Sequence, residues 1–94
     1  KQGIQEFDDD GRIDRARKYY TGVGLKQNYN KAFELFMPLA QGGNAEAARF
    51  IGLMKLSGKG TEKNLKLAKE WLSVASQKGD KTARRLLASY QSLF

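Results

Sequence analysis

Residues 44–79, NAEAARFIGLMKLSGKGTEKNLKLAKEWLSVASQKG, decide the fold of this chain. A shift of 36 positions lays Gly58 on Gly22, Gly60 on Gly24, Asn64 on Asn28, Ala68 on Ala32, Glu70 on Glu34, Gln77 on Gln41 and Gly79 on Gly43. The same shift lays Ala47 on Ala83 and Arg49 on Arg85, which brings the identities to nine in one register. Conservative pairs lie between them: Phe36 with Leu72, Asn44 with Asp80, Phe50 with Leu86 and Ile51 with Leu87. Such a period is the signature of stacked supersecondary units, none of which can bury its apolar face alone.

Each unit reads as two helices. Asn44 and Asp80 stand where N-caps belong, and Ala47, Phe50, Ile51 and Met54 then recur at spacings of three and four, on one helical face. The matching stripe in the next unit is Ala83, Leu86, Leu87 and Tyr90. Asn28 and Asn64 open the second helix type, with inward residues Ala32, Leu35, Phe36 and Leu39, then Ala68, Trp71, Leu72 and Ala75; Gly43 and Gly79 close these helices. Projected backwards onto Asp8, the register predicts helices near 8–21, 28–41, 44–57, 64–77 and 80–93. No Val/Ile/Thr-rich run alternates with period two, so strands are not expected. Short connections make successive helices antiparallel. The expected fold is all-α, a right-handed α/α superhelix of about five helices, in one domain spanning 1–94. Its parts are a leader (1–7), a divergent first unit (8–43), a second unit (44–79) and a C-terminal capping helix (80–94).

The first unit departs from the pattern. Asp14-Arg15 stands where later units have Phe50-Ile51 and Leu86-Leu87, and Phe7 replaces the repeated Gly, so the first helix reads as a divergent cap. Pro38 has no N–H to donate and lies inside a predicted helix, which predicts a kink or loosening near Glu34.

Composition removes much chemistry. The 94 residues contain no Cys and no His, hence no disulfide, thiol nucleophile, imidazole base or usual zinc or haem ligand. Neither an enzyme nor a cofactor is expected. Apolar runs fall far short of the roughly 20 residues that span a bilayer. The chain begins at Lys1 rather than Met, which leaves a removed tag, signal peptide or upstream domain open and targeting unreadable.

At these residues the chain resembles the SEL-like repeat family, relatives of the tetratricopeptide repeat. The resemblance is carried by Ala47, Ile51-Gly52, Gly58-Lys59-Gly60, Leu67-Ala68, Trp71, Ala75 and Gly79-Asp80. The preceding unit supplies Gly22-Val23-Gly24, Lys31-Ala32, Phe36, Pro38-Leu39-Ala40 and Gly43-Asn44. It implies a protein-binding solenoid. The Phe36-Met37-Pro38-Leu39-Ala40 stretch is similar to bacterial members, many of them periplasmic or secreted, and that location is the one the resemblance implies, with cytoplasm open.

Two motifs invite other readings. Gly58-Lys59-Gly60-Thr61 lacks the spacing of a phosphate-binding loop, and Gly22-Val23-Gly24-Leu25 occupies the equivalent turn without a Lys, so a repeat turn is expected. Glu6 to Gly11 is similar to the front of a calcium loop, but Arg17 falls where the bidentate Glu would be needed, so an acidic lead into the first helix is expected instead. Glu34 and Glu70 repeat one unit apart on outer faces and make no acid/base pair.

Charge is segregated: residues 1–14 carry five acids and two bases, net −3, and residues 15–94 carry fifteen bases and five acids, net +10. Such a surface suits an acidic protein, phosphates or anionic headgroups. In helix-pair solenoids the first helix of each pair lines the concave wall. Its expected outward residues are Ala48, Arg49, Gly52 and Lys55, with Arg12, Ile13, Ala16 and Tyr19 before them and Arg84, Arg85, Ala88 and Gln91 after. Tyr19, Arg49, Lys55, Arg84 and Arg85 are the candidate partner-contacting strip, since Arg and Tyr anchor interfaces. The leading functional reading is a protein-interaction adaptor with an acidic partner. Binding of nucleic acid or an anionic surface through Lys and Arg is the alternative, with Phe36, Phe50 and Trp71 assigned to the core rather than to base stacking. Inhibition of a partner enzyme, as by an immunity protein, is a narrower variant.

Overall fold

The computed structural model describes residues 3–94, with side chains described from Gly11 onward. Helix α1 spans Gly3–Thr21, α2 Tyr29–Gln41, α3 Ala45–Ser57, α4 Leu65–Gln77 and α5 Lys81–Ser89, followed by a 3-10 turn at Gln91–Leu93. No strand occurs among the described residues.

Four of these helices begin where the sequence places their caps. The side-chain oxygens of Asn28, Asn44, Asn64 and Asp80 accept the amides of Lys31, Ala47, Leu67 and Ala83 at 3.0, 2.8, 2.9 and 2.8 Å. Each satisfies a donor that a helix N-terminus leaves without an intrahelical partner, a contribution of about 1 kcal/mol. The turns repeat in detail. Gly22 and Gly58 have φ of 81° and 74°, and their amides donate to Lys18 O and Met54 O at 2.7 Å. Asn28 N–H then reaches Tyr19 O and Asn64 N–H reaches Lys55 O, both at 2.8 Å. A left-handed φ at the helix exit is the conformation that favours Gly over any side chain, so these two glycines set the sharp return of the chain.

Predicted helix phases hold in α2 and α4. Ala32, Phe36 and Leu39 are buried in α2, and Ala68, Leu72 and Ala75 in α4. Leu35 and Trp71 are half-buried rather than core. Helix α3 differs more. Ala47, Ile51 and Met54 are buried as expected, but so are Ala48 and Gly52, which were expected to face outward, while Phe50 is half-buried. The reason is that α3 packs against both α2 and α4 and must bury two stripes. Small residues make the second stripe because α4 approaches closely: a Cβ on Gly52 would stand 2.7 Å from Leu72 Cγ and 3.2 Å from the Ala68 carbonyl oxygen. Ile13 and Ala16 are likewise buried, not outward, because α1 packs on α2.

Asp14 and Arg15 are exposed in α1, where later units place apolar residues. The helix begins at Gly3, so Asp8 lies within it and not at its cap, and the helical backbone through Glu6–Gly11 is not a calcium loop; the side chains of Glu6 to Asp10 lie outside those described. Helix α2 runs without interruption past Pro38, which is exposed, and Gly42 N–H closes its last turn on Pro38 O at 3.0 Å. Helix α5 stops at Ser89, short of the expected residue 93. Ser89, Tyr90 and Ser92 are weak helix formers, and Leu93 remains 50% exposed, so little burial rewards another α-helical turn.

Candidate interaction surface

The first helices of successive units, α1, α3 and α5, are tied to one another by two ion pairs. Arg17 Nη1 donates to both carboxylate oxygens of Glu46 at 2.8 and 2.7 Å, joining α1 to α3. Arg49 Nε donates to Asp80 Oδ2 at 3.0 Å, joining α3 to the cap of α5. These hydrogen bonds from the guanidinium to Glu46 hold the Arg17 pKa above its ordinary value, against a smaller opposing effect of burial. Arg17 also meets Asp14 at 3.7 Å, and Lys18 meets Asp14 at 3.1 Å.

Between α1, α2 and α3 lies an aromatic cluster. Phe36 and Phe50 stack at 4.4 Å and 11°, and Tyr20 meets Phe50, Tyr29 and Phe36 edge to face at 5.0, 5.4 and 6.5 Å. Phe36 is fully buried, whereas Tyr20, Tyr29 and Phe50 are half-buried. Cations cap the cluster: Arg49 Cζ lies 4.9 Å over Phe50 and Lys59 Nζ 5.2 Å over Tyr29. Burial raises the Tyr20 pKa, opposed by the positive charges of Lys59 and Arg49.

The five candidate contact residues have different surroundings. Arg84 and Arg85 are exposed on α5, and Arg84 is one turn from Asp80, the partner of Arg49, so these three share a neighbourhood. Arg49 is half-buried and engaged there. Tyr19 lies elsewhere, half-buried beside Lys31, Glu34 and Leu35 of α2. Lys55 is half-buried too: its Nζ donates to Thr61 Oγ1 at 2.9 Å and stands 5.5 Å over the Phe33 ring. Lys31 and Leu35 are each two residues from Phe33, which on a helix is more than half a turn, so Tyr19 and Lys55 flank opposite sides of α2.

The Gly58-Lys59-Gly60 turn is a repeat turn. The amides of Gly58 and Lys59 both donate to Met54 O, at 2.7 and 3.1 Å, so neither is directed at a phosphate. Among the described residues no group of three or more His, Cys, Asp or Glu could hold a metal ion, and no helix is long and apolar enough to cross a membrane. The cavities are shallow hollows, one of about 320 Å³ lined by Asp14, Arg15, Lys18, Tyr19 and Leu25.

Sequence reading missed Tyr20 and Lys59. Tyr20 aligns with Leu56 and Lys59 with Val23 across the repeat, so neither position recurs as a cation or an aromatic. Only the composition of the turn, a Lys between two glycines, marked Lys59 at all.

These features define a class: a stack of antiparallel helix pairs whose first helices are tied side by side by ion pairs. The chain belongs to the Sel1 repeat family, whose model matches residues 13–44 and 45–80. It is similar in structure to c5321, a protective antigen of uropathogenic Escherichia coli displaying an SLR fold, with a TM-score of 0.83 and 19% identity over 92% of this chain. It is also similar to a Sel1 repeat protein from Oxalobacter formigenes, with a TM-score of 0.80 and 26% identity over 86% of this chain. The chain spans 18% and 23% of the lengths of those two proteins. A search of curated proteins found no match.

Proposed function

We propose that the chain is a non-enzymatic adaptor whose face formed by α1, α3 and α5 takes a protein partner that is acidic where it touches. Sel1 repeats generally mediate protein–protein interactions, and this chain has the family's fold. One observation supports the acidic character of the partner. On those three helices the described acids and the α5 cap are already engaged: Asp14 with Lys18 and Arg17, Glu46 with Arg17, and Asp80 with Arg49. Lys81, Arg84 and Arg85 of α5 are exposed and have no acidic partner among the described residues. A face whose carboxylates are satisfied internally while cations remain outward attracts carboxylates from a partner.

The test is affinity capture from nuclease-treated source extract at physiological salt, comparing the wild type with Arg84→Glu/Arg85→Glu. Those positions are preferable to Arg49, whose reversal would set two carboxylates against each other at Asp80. One saturable protein lost from the double variant is the expected result. Material recovered only when the nuclease is left out, and lost steeply as salt rises, would instead support the polyanion reading.

A further inference from the structure

Lys59, Tyr29, Tyr20, Phe50 and Arg49 make one continuous row drawn from four separate segments: the α3–α4 turn, the start of α2, the last turn of α1, and α3. Lys59 stands over Tyr29, Tyr29 meets Tyr20, Tyr20 meets Phe50, and Arg49 stands over Phe50, each step close to 5 Å. We propose that this row is the binding site for an extended acidic segment of the protein partner, with carboxylates at Lys59 and Arg49 and an apolar side chain against the half-buried rings between them. This rests on the adaptor reading above and gives it a location and a chemistry.

Three observations carry the assignment. The row ends in a cation on each side, and Lys59 is exposed with no acidic partner among the described residues. Asp80 engages only Nε of Arg49, which orients the guanidinium and leaves its two terminal nitrogens without a partner among the described residues. Both cations oppose the rise that burial gives the Tyr20 pKa, which puts each within electrostatic reach of that hydroxyl. Four steps near 5 Å limit the span to at most about 20 Å, no more than about six residues of extended chain.

Ring geometry favours a peptide over a nucleic acid. Sequence-tolerant binding of single strands needs free aromatic faces on which bases stack. Phe50 is stacked on Phe36 and carries Arg49 over its ring, and Tyr29 carries Lys59.

The experiment is a fluorescence-anisotropy titration with a labelled peptide holding two glutamates about five residues apart and a leucine between them, a spacing set by the strand rise. A twin with both glutamates replaced by glutamine is run beside it. The full chain is used as wild type, Lys59→Glu and Lys66→Glu/Lys69→Glu, the last reversing two exposed cations of α4 outside the row, each shown to be helical by circular dichroism. Saturable binding by wild type is expected, at least about tenfold weaker for the glutamine twin and for Lys59→Glu, and within about threefold of wild type for the α4 variant. Absent binding, equal affinity for the twin, or an unaffected Lys59→Glu overturns the row. An equal loss in the α4 variant overturns it too, since net charge alone then accounts for the binding, while the adaptor reading stands or falls separately on the capture with Arg84→Glu/Arg85→Glu. Oligothymidylate that displaces the peptide and depends on Lys59 overturns it in favour of nucleic acid.

Discussion

Asp80 serves two helices at once: Oδ2 accepts Arg49 Nε at 3.0 Å, and Oδ1 accepts the Ala83 amide that begins α5. Its side chain is 11% exposed and that of Arg49 19%, so water competes little for either. Asp80→Ala is expected to destabilise the fold by about 2–3 kcal/mol, from a lost cap and a half-buried guanidinium left unpaired. Asp80→Asn keeps a good capping side chain and should cost about half as much. Urea unfolding of both variants checks this; equal costs would show that the ion pair contributes nothing.

The Arg17–Glu46 pair looks equivalent but should behave differently. Its side chains are 40% and 32% exposed, and solvent screens such a pair. Glu46→Gln is expected to cost less than about 1 kcal/mol, and less still in high salt. A cost matching that of Asp80→Ala, unchanged by salt, would show that the pair is stronger than its exposure allows.

Gly52→Ala sets helix propensity against space. Alanine gains about 1 kcal/mol in a helix interior, but overpacking costs about 1–3 kcal/mol. Here one close neighbour is the Ala68 carbonyl at 3.2 Å, a backbone atom that moves only if α4 moves. The expected outcome is a net loss of about 1 kcal/mol, seen as a lower Tm. A raised Tm would mean that α4 shifts aside freely.

Tyr20 supplies an alkaline dependence. Its pKa is raised in the fold, by burial first, so the unfolded chain loses this proton at lower pH than the folded one. The associated stability is complete below the unfolded value near 10 and falls as pH rises toward the folded value. Unfolding measured from pH 8 to 11 should therefore show a decline that is smaller in Tyr20→Phe, with the difference between the two proteins opening near pH 10. Parallel declines would remove Tyr20 as the cause.

Much of the architecture was legible because it is local. Asn28, Asn44, Asn64 and Asp80 cap through an amide three residues away, and Gly22 and Gly58 turn the chain within their own segments. The outward face of α3 was misread for the opposite reason. A periodic stripe reports one buried side, whereas burial of Ala48 and Gly52 follows from a second neighbour, α4, that periodicity alone does not place.

The sequence by itself determined a helical repeat of 36 residues, its caps and turns, and an excess of basic charge, since each depends on residue type and near spacing. Only the tertiary structure decided which charges remain outward. Arg17 and Glu46 are 29 residues apart and Arg49 and Asp80 are 31 apart, and only stacking of the helix pairs brings them within hydrogen-bond reach. The same stacking set Lys59 and Arg49 at the two ends of one aromatic row, because α1, α2 and α3 converge on Tyr20.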